Sequence, residues 1–369
     1  MEGFDVCVRG AGIVGKALAL SLARLGLRVA LQPEGEPAPG PDLRAYALNA
    51  ASVSLLKRLN VWDAFAPHAA TPVHDMHIEG DAAGVGLDFS AWDQCVAELA
   101  WIVDAAALDG ELSAALRFAP HVKVLSSPVA DAALMAVCEG KSSATRLALG
   151  VRVESHPYGQ RAIAARLVAQ HPHQNTARQW FLSPDVLALL PLDKPEQERS
   201  FALVWSLPDE RAETMLKLDG DSFERALSAA TSGACGGLKL ASERASWPLT
   251  LARAEPWSGP GWVLLGDAAH VVHPLAGQGL NLGLADVMAL AAVIEQREPW
   301  RALGDAKLLR RYARQRATPT WAMSRVTDGL LHLFSSRQPG VRELRNCGLS
   351  LVNHLSPVKR WLTARALGS

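Results

Sequence analysis

The sequence predicts an α/β protein, and three stretches carry the prediction. Near the start, an apolar strand (Phe4 to Val8), a glycine turn and a helix with Leu18, Leu22 and Leu25 on one face lead into a second strand, Arg28 to Leu31. Much later a third apolar strand, Val263 to Leu265, runs through another glycine-rich turn into a helix from about Leu280. Between them, over about 153 to 250, the runs "RAIAARLVAQ", "RQWFLS", "LALLPL" and "SFALVWSL" alternate like strands, with helical stretches near 209 to 232.

The first unit has a specific chemistry. Gly10, Gly12 and Gly15 fit Gly-x-Gly-x-x-Gly between a strand and a helix, the pattern of a Rossmann-type dinucleotide site. Gly10 permits the tight turn, Gly12 lets backbone approach a pyrophosphate, and Gly15 lets helix and strand pack closely, with the anion on the helix N-terminus. One element is off pattern. The second strand of such a unit usually ends in an acid that holds ribose hydroxyls, whereas this one ends in Gln32 and Pro33, with Glu34 one step beyond. A glutamine both donates and accepts, so Gln32 is the expected ribose contact.

The glycines alone do not separate NAD from FAD. The stretch "LLGDAAHVVHPLAGQGLNLGLAD", 264 to 286, does. Gly266 permits close approach, and Asp267 can accept hydrogen bonds from a polyol such as the ribityl chain of a flavin. Gly277 and Gly279 leave backbone amides uncovered, and the helix beyond aims its positive end at the negative charge of a reduced flavin. The expected cofactor is FAD.

Composition bounds the rest. With 49% hydrophobic and 20% charged residues the chain can bury a large core in one or two domains. No signal-like n-region and h-region opens the sequence and no run of about 18 apolar residues occurs, so a cytoplasmic protein is expected. Cys7, Cys95, Cys138, Cys235 and Cys347 form no Cys-x-x-Cys pair, which argues against a disulfide framework and a zinc site. The zero net charge hides an asymmetry: from Arg301 onward 13 Lys/Arg face three acids, leaving the first 300 residues at −10. Such a basic region suits an anionic membrane surface, an acidic partner or pairing with the acidic remainder.

With "DLRAYALNAAS" at 42 to 52, "AELAWIVDAAAL", "YGQRAIAA", "LALLPL" and the closing "LSPVKRWLTARALG", these glycine and aspartate motifs make the chain similar nearly end to end to a known group. It resembles the FAD-dependent aromatic hydroxylases of the para-hydroxybenzoate hydroxylase fold, the class A flavoprotein monooxygenases, and within them the ubiquinone-biosynthesis hydroxylases. The resemblance implies a Rossmann-type FAD-binding domain (1–78, 97–152 and 251–335), an inserted antiparallel-sheet substrate domain (79–96 and 153–250) and a C-terminal helical segment (336–369). It also implies Gly10, Gly12 and Gly15 at the ADP pyrophosphate, Arg44 near the phosphates and ribityl region, and Asp267 on a ribityl hydroxyl. Pro274, Gly277, Gln278, Gly279, Leu280 and Asn281 would line the isoalloxazine.

The family's Asp-Gly motif, which serves FAD and NAD(P)H, is Glu139-Gly140 in this chain, with Arg146 matching its trailing arginine. The longer side chain bears on the NAD(P)H step more than on FAD. Of the two histidines in the flavin stretch, His270 is expected to be structural, while His273, beside Pro274 on the flavin side, is the candidate proton relay. No second Gly-x-Gly-x-x-Gly appears, so NAD(P)H would bind transiently. By the implied reaction, NAD(P)H reduces FAD, O2 adds at the flavin C4a position, and the hydroperoxide delivers one oxygen to an electron-rich phenol. A polyprenylated phenol is the expected substrate. A soluble aromatic, or a non-catalytic FAD-binding subunit of a biosynthetic complex, are the alternatives. Met323, Val326, Leu330, Leu333 and Phe334 fall close to helical spacing, and the last residues would dock on a membrane or complex that presents the lipid. Nucleic acid is not expected as a partner.

Overall fold

The computed structural model describes residues 3–33, 35, 42–80, 86–127, 132–272 and 278–335. Its first layer is a six-stranded sheet in the order β16 (Ser258–Gly259), β17 (Trp262–Leu264), β9 (Ala132–Val137), β1 (Phe4–Arg9), β2 (Val29–Gln32) and β8 (Val122–Val124). All neighbours are parallel except the β16–β17 hairpin. Parallel strands need crossovers, and α1 (Ile13–Arg24) makes the first, between β1 and β2. Leu18 and Leu22 of α1 are fully buried with Leu108 and Leu112 of α4 (Ala105–Arg117) and Leu284, Val287 and Leu290 of α8 (Gln278–Glu295).

The second layer is a nine-stranded sheet in the order β18 (His270–Val271), β15 (Ala245–Glu255), β10 (Arg152–Ala169), β13 (Ser200–Pro208), β12 (Asp185–Leu192), β11 (Thr176–Leu182), β5 (Asp75–Glu79) and β6 (Gly86–Ser90), with β14 (Leu238–Leu240) also on β10. It is antiparallel but for one pair: β5 runs parallel to β11, Thr176 beside Asp75. The ladder also reaches beyond the expected segments. It takes in the chain from Asp75 rather than from 79, and pairs Arg152 with Glu255 past the expected joins at 152 and 251.

Strand alternation decides what each face meets. Phe201, Leu203, Trp205 and Leu207 of β13 pack with Ala212, Met215, Phe223 and Leu227 of α6 (Asp209–Lys217) and α7 (Gly220–Ala230). Ala202, between them, joins Ala177 and Leu192 against Val73, Leu99 and Ile102. Val73 and Ile102 belong to a small antiparallel sheet, β3 (Ala45–Leu48), β7 (Ala100–Asp104) and β4 (Ala70–Val73), which lies between the two large ones. Its segments are followed by α2 (Ala50–Arg58) and α4, while α3 (Ala91–Gln94) and α5 (Ala144–Ala148) are short connectors.

The last helix, α9 (Ala306–Ser335), closes the first layer. Tyr312, fully buried, donates from its hydroxyl to Leu264 O at 2.9 Å. Met323, Val326, Leu330, Leu333 and Phe334 fall on the α9 backbone, but their side chains and everything from 336 on lie outside the described residues. No helix among the described residues is long and apolar enough to cross a membrane.

One buried charge ties the layer together. Asp286 of α8 is 0% exposed, yet its carboxylate accepts from Gly266 N (3.0 Å), His270 Nε2 (2.6 Å) and Arg316 Nε (2.7 Å). Burial pushes the carboxyl upward in pKa, but the His270 charge and hydrogen bond, with Arg316, outweigh it and hold the group below the usual carboxylate range. A depressed acid stabilises the fold above its unfolded pKa of about 3.9, and that contribution is lost as pH falls through the folded value. Asp286→Asn is therefore expected to cost about 3–5 kcal/mol in urea unfolding at pH 7, because His270 and the mostly buried Arg316 lose their anion. The deficit should narrow below about pH 4; a variant within 1 kcal/mol of wild type at neutral pH contradicts the assignment.

Candidate functional site

The three glycines of the first turn do three different things. Gly10 has φ +99°, and a Cβ there would fall 2.4 Å from Cys138 O, so only glycine lets β1 run beside the end of β9. A Cβ on Gly15 would lie 1.9 Å from Gly10 O, which makes this the point where α1 packs on the turn. Gly12 caps α1 in an extended conformation, with no side-chain cap, and a Cβ there would meet nothing within 4 Å. It faces a cavity of about 720 Å³ whose lining includes Lys16, Pro33, Asp109, Ser113 and Glu139. Uncapped N–H groups at a helix start, beside space that a side chain would fill, fit the diphosphate of a dinucleotide.

Gln32 corrects the ribose expectation. Its side chain is 7% exposed: Oε1 accepts from Cys7 Sγ at 3.1 Å, and Nε2 donates to Ser127 O. The amide is turned into the sheet, where an unpartnered amide would be costly, and the residue does not line the cavity. Glu34 lies outside the described residues.

Glu139 does line the cavity, and its carboxylate is fully occupied. It accepts from Arg9 Nε (3.0 Å), Ser143 Oγ (2.7 Å), Thr145 N (2.9 Å) and Thr145 Oγ1 (2.5 Å). Burial raises its pKa, but the hydrogen bonds from Thr145 and Ser143, then Arg9, outweigh it and leave the group ionised below the usual carboxylate range. The extra methylene is thus absorbed in a clamp on the start of α5. Arg146, from that helix, donates to Lys141 O (2.7 Å) and to Ala268 O (2.8 Å), so the Glu139 loop is tied to the turn that carries Asp267.

Asp267 sits in a 3-10 turn, Gly266–Ala268, directly after β17. Gly266 has φ +58°, and its nearest neighbour is Val14 of α1, 3.3 Å from where a Cβ would stand. Gly283 of α8 would press a Cβ to 2.7 Å from the same Val14, so two glycines let the turn, α1 and α8 converge. The Asp267 side chain is partly exposed, and its carboxylate has no hydrogen-bond donor among the described residues. Arg44, 223 positions earlier in the chain, is its neighbour in charge. The Arg44 pKa lies above the ordinary guanidinium value, chiefly through its hydrogen bonds to Asp42 (2.6 and 2.8 Å), and the Asp267 charge adds to the shift. The Arg44 guanidinium also stands 5.9 Å from the Tyr46 ring centre.

At the start of α8 the residues divide. Gly279 has open space where a Cβ would go. Leu280 belongs to the main core, and Asn281, expected along the isoalloxazine, is 4% exposed with its side chain turned to its neighbours in the protein. Asn281 Oδ1 accepts from Asn49 N (3.1 Å) and Ser52 Oγ (2.7 Å), and its Nδ2 donates to Ala47 O (2.8 Å). This satisfies the amide and joins α8 to β3 and α2. Gln278 is described in backbone only, and His273, Pro274 and Gly277 lie outside the described residues. His270 is buried, stacked 5.1 Å from Trp257 and bonded to Asp286.

Two groups escape a motif reading. Arg316 and Asp286 stand 30 positions apart on α9 and α8, and although Asp286 closes the flavin stretch, nothing local marks Arg316 as its partner. Arg166, 8% exposed within the apolar run of β10, donates to Leu43 O (2.7 Å) and Arg44 O (3.2 Å) and pairs with Asp104, the cap of α4. It carries a charge from the nine-stranded sheet to the segment that presents Arg44. A lone arginine among Ala162–Leu167 was the available signal.

Comparison with known proteins agrees with this geometry. The FAD binding domain family matches residues 128–327. The 3-demethoxyubiquinol 3-hydroxylase of Escherichia coli is 30% identical over 391 residues, covering 99% of this chain and 98% of its own. Ubiquinone hydroxylase UbiL of Rhodospirillum rubrum is 29% identical over 394 residues, covering 99% and 90%. The solved structure of p-nitrophenol 4-monooxygenase PnpA from Pseudomonas putida superposes with a TM-score of 0.77 at 18% identity, over 100% of this chain and 98% of that one, which speaks for the fold alone. With a family match over more than half its length and a relative 30% identical nearly end to end, the chain belongs to the FAD-dependent aromatic hydroxylases of the flavoprotein monooxygenase family.

Proposed function

We propose that this chain hydroxylates a polyprenylated phenol in a ubiquinone-type pathway, with NAD(P)H as electron donor and O2 as oxygen source. The observation that carries the cofactor part of this reading is the partly exposed Asp267 carboxylate, without a hydrogen-bond donor among the described residues and under the charge of Arg44. The substrate class rests on the relatives, several of which are named ubiquinone hydroxylases and match nearly end to end. When bound, FAD supplies two-electron reduction by NAD(P)H and activation of O2, one oxygen atom going to the ring and the other to water.

The chain's own residues bind, orient and exclude. Gly12 and the uncapped start of α1 receive the diphosphate, and Asp267 accepts a ribityl hydroxyl. Arg44, fixed by Asp42 and by the carbonyl contact from Arg166, brings positive charge to the same cleft. The Gly279 backbone, at the positive end of α8, would favour negative charge on a flavin held there. The packed apolar layer of Val73, Ile102, Ala177, Leu192 and Ala202 keeps water out between the sheets. His273 and Pro274 remain the flavin-side candidates for proton transfer and positioning. We assign the last roughly thirty residues, basic in sequence, to an anionic membrane or a complex presenting the lipid.

Two outcomes follow. Asp267→Ala should fold normally and bind FAD about 10- to 100-fold more weakly in a fluorescence titration, as expected for loss of a hydrogen bond to a charged group; an unchanged Kd contradicts the ribityl role. Supplied with NAD(P)H, O2 and a polyprenylated phenol in anionic liposomes, the protein should release a product one oxygen heavier by mass spectrometry. The full chain should float with those liposomes, and a chain ending at Gly340 should not. Turnover of small soluble phenols only, with no product from the lipid, overturns the substrate reading.

A further inference from the structure

Lys16 is an unusual residue to find at the start of a helix. It lies one turn beyond the Gly12 cap of α1, where a positive charge opposes the helix dipole, and its side chain is only 12% exposed. Its ammonium donates to Asp109 Oδ1 at 2.6 Å and to Ser113 Oγ at 2.8 Å. Asp109 and Ser113 stand four residues apart on one face of α4, and Lys16, Asp109, Ser113 and Gly12 line the same cavity.

Two cations among the lining residues can meet an incoming anion: Arg117, which is exposed, and Lys16, whose side chain is only 12% exposed. Glu139 is already neutralised by Arg9 and covered by Ser143 and Thr145. Asp109 is 44% exposed and can remain solvated without its partner. An ammonium carries three donors, of which Lys16 uses two, and a helical side chain leans toward the N-terminus of its own helix. That is the end whose bare N–H groups suit a diphosphate. The Gln32 side chain is spent on Cys7 and Ser127 and gives the dinucleotide no anchor of its own.

We propose that Lys16 is a direct ligand of the dinucleotide diphosphate, and that Asp109 is a resident counter-ion which holds the ammonium in place and competes with the phosphate for it. The proposal rests on the FAD reading above. It makes opposite predictions for the two partners of one ion pair, which a merely structural salt bridge does not.

The test is a set of binding titrations on apoprotein, with FAD and riboflavin followed by flavin fluorescence and ADP by displacement. Lys16→Met should weaken FAD and ADP by about 10- to 100-fold and leave riboflavin, which has no phosphate, unchanged. Lys16→Arg should keep most of the affinity. Asp109→Asn should tighten FAD and ADP by about two- to tenfold, because the competing anion is gone. Unchanged riboflavin affinity and an unchanged Tm show that each variant is folded. Weaker FAD binding by Asp109→Asn overturns the proposal, since Asp109 would then be a ligand itself; so does a Lys16→Met loss shared equally by riboflavin. A wild-type protein that takes up no FAD removes the FAD reading as a whole, whereas altered ratios among variants of an FAD-binding protein judge Lys16 alone.

Discussion

The site depends on one buried carboxylate. Asp286 accepts the Gly266 N–H, the His270 imidazole and the Arg316 guanidinium, and so joins the turn after β17, the strand β18 and the helices α8 and α9 at a single point. Gly266 needs its left-handed backbone to pass beside Val14, and a fixed acceptor for its N–H keeps it there. Asp267, the next residue, is thereby held partly exposed, with no hydrogen-bond donor on its carboxylate among the described residues. Asp286 is fully buried and Arg316 nearly so, and removing one partner of such a pair leaves a charge poorly compensated, so the arrangement is stiff. Stiffness at this point is useful because a hydrogen bond to a ribityl hydroxyl has a fixed reach.

A second constraint acts from the other side. Arg166 leaves the nine-stranded sheet to bind the carbonyls of Leu43 and Arg44 and the carboxylate of Asp104. Asp104 also caps α4, whose Asp109 and Ser113 hold Lys16. The cleft is thus framed by two charge networks, one in each large layer, with the small sheet packed between them. Glu139 and Arg146 link the floor of the dinucleotide cavity to the Asp267 turn through Ala268 O, so the two ends of the site do not move independently.

What the sequence made legible was local. The Gly-x-Gly-x-x-Gly turn, the strand before Asp267 and the alternating runs of β10 to β13 each carry their signal within a dozen residues, and each stands where that signal put it. What escaped was set by distant neighbours. Gln32 read as a ribose contact because it ends a strand, but Cys7 and Ser127, 25 and 95 positions away, take its amide. Asn281 sits in the flavin motif, yet Ala47, Asn49 and Ser52 use its side chain. The parallel pairing of β5 with β11 joins residues about a hundred positions apart and breaks an otherwise antiparallel sheet. No window of sequence records such partners. Glu139 is an intermediate case: its departure from the family was visible, but the clamp of Arg9, Ser143 and Thr145 that absorbs the extra methylene was not.

The central claim is that these turns and networks form a site for FAD. The most direct measurement is the visible absorption spectrum of the purified protein, with any released cofactor identified after denaturation. A flavin spectrum, with FAD released in about one-to-one ratio to protein or taken up to that ratio when added, is the predicted result. A colourless protein that also fails to take up added FAD would contradict the account, because an α1 without a side-chain cap beside a cavity of about 720 Å³ would then have no ligand to explain it.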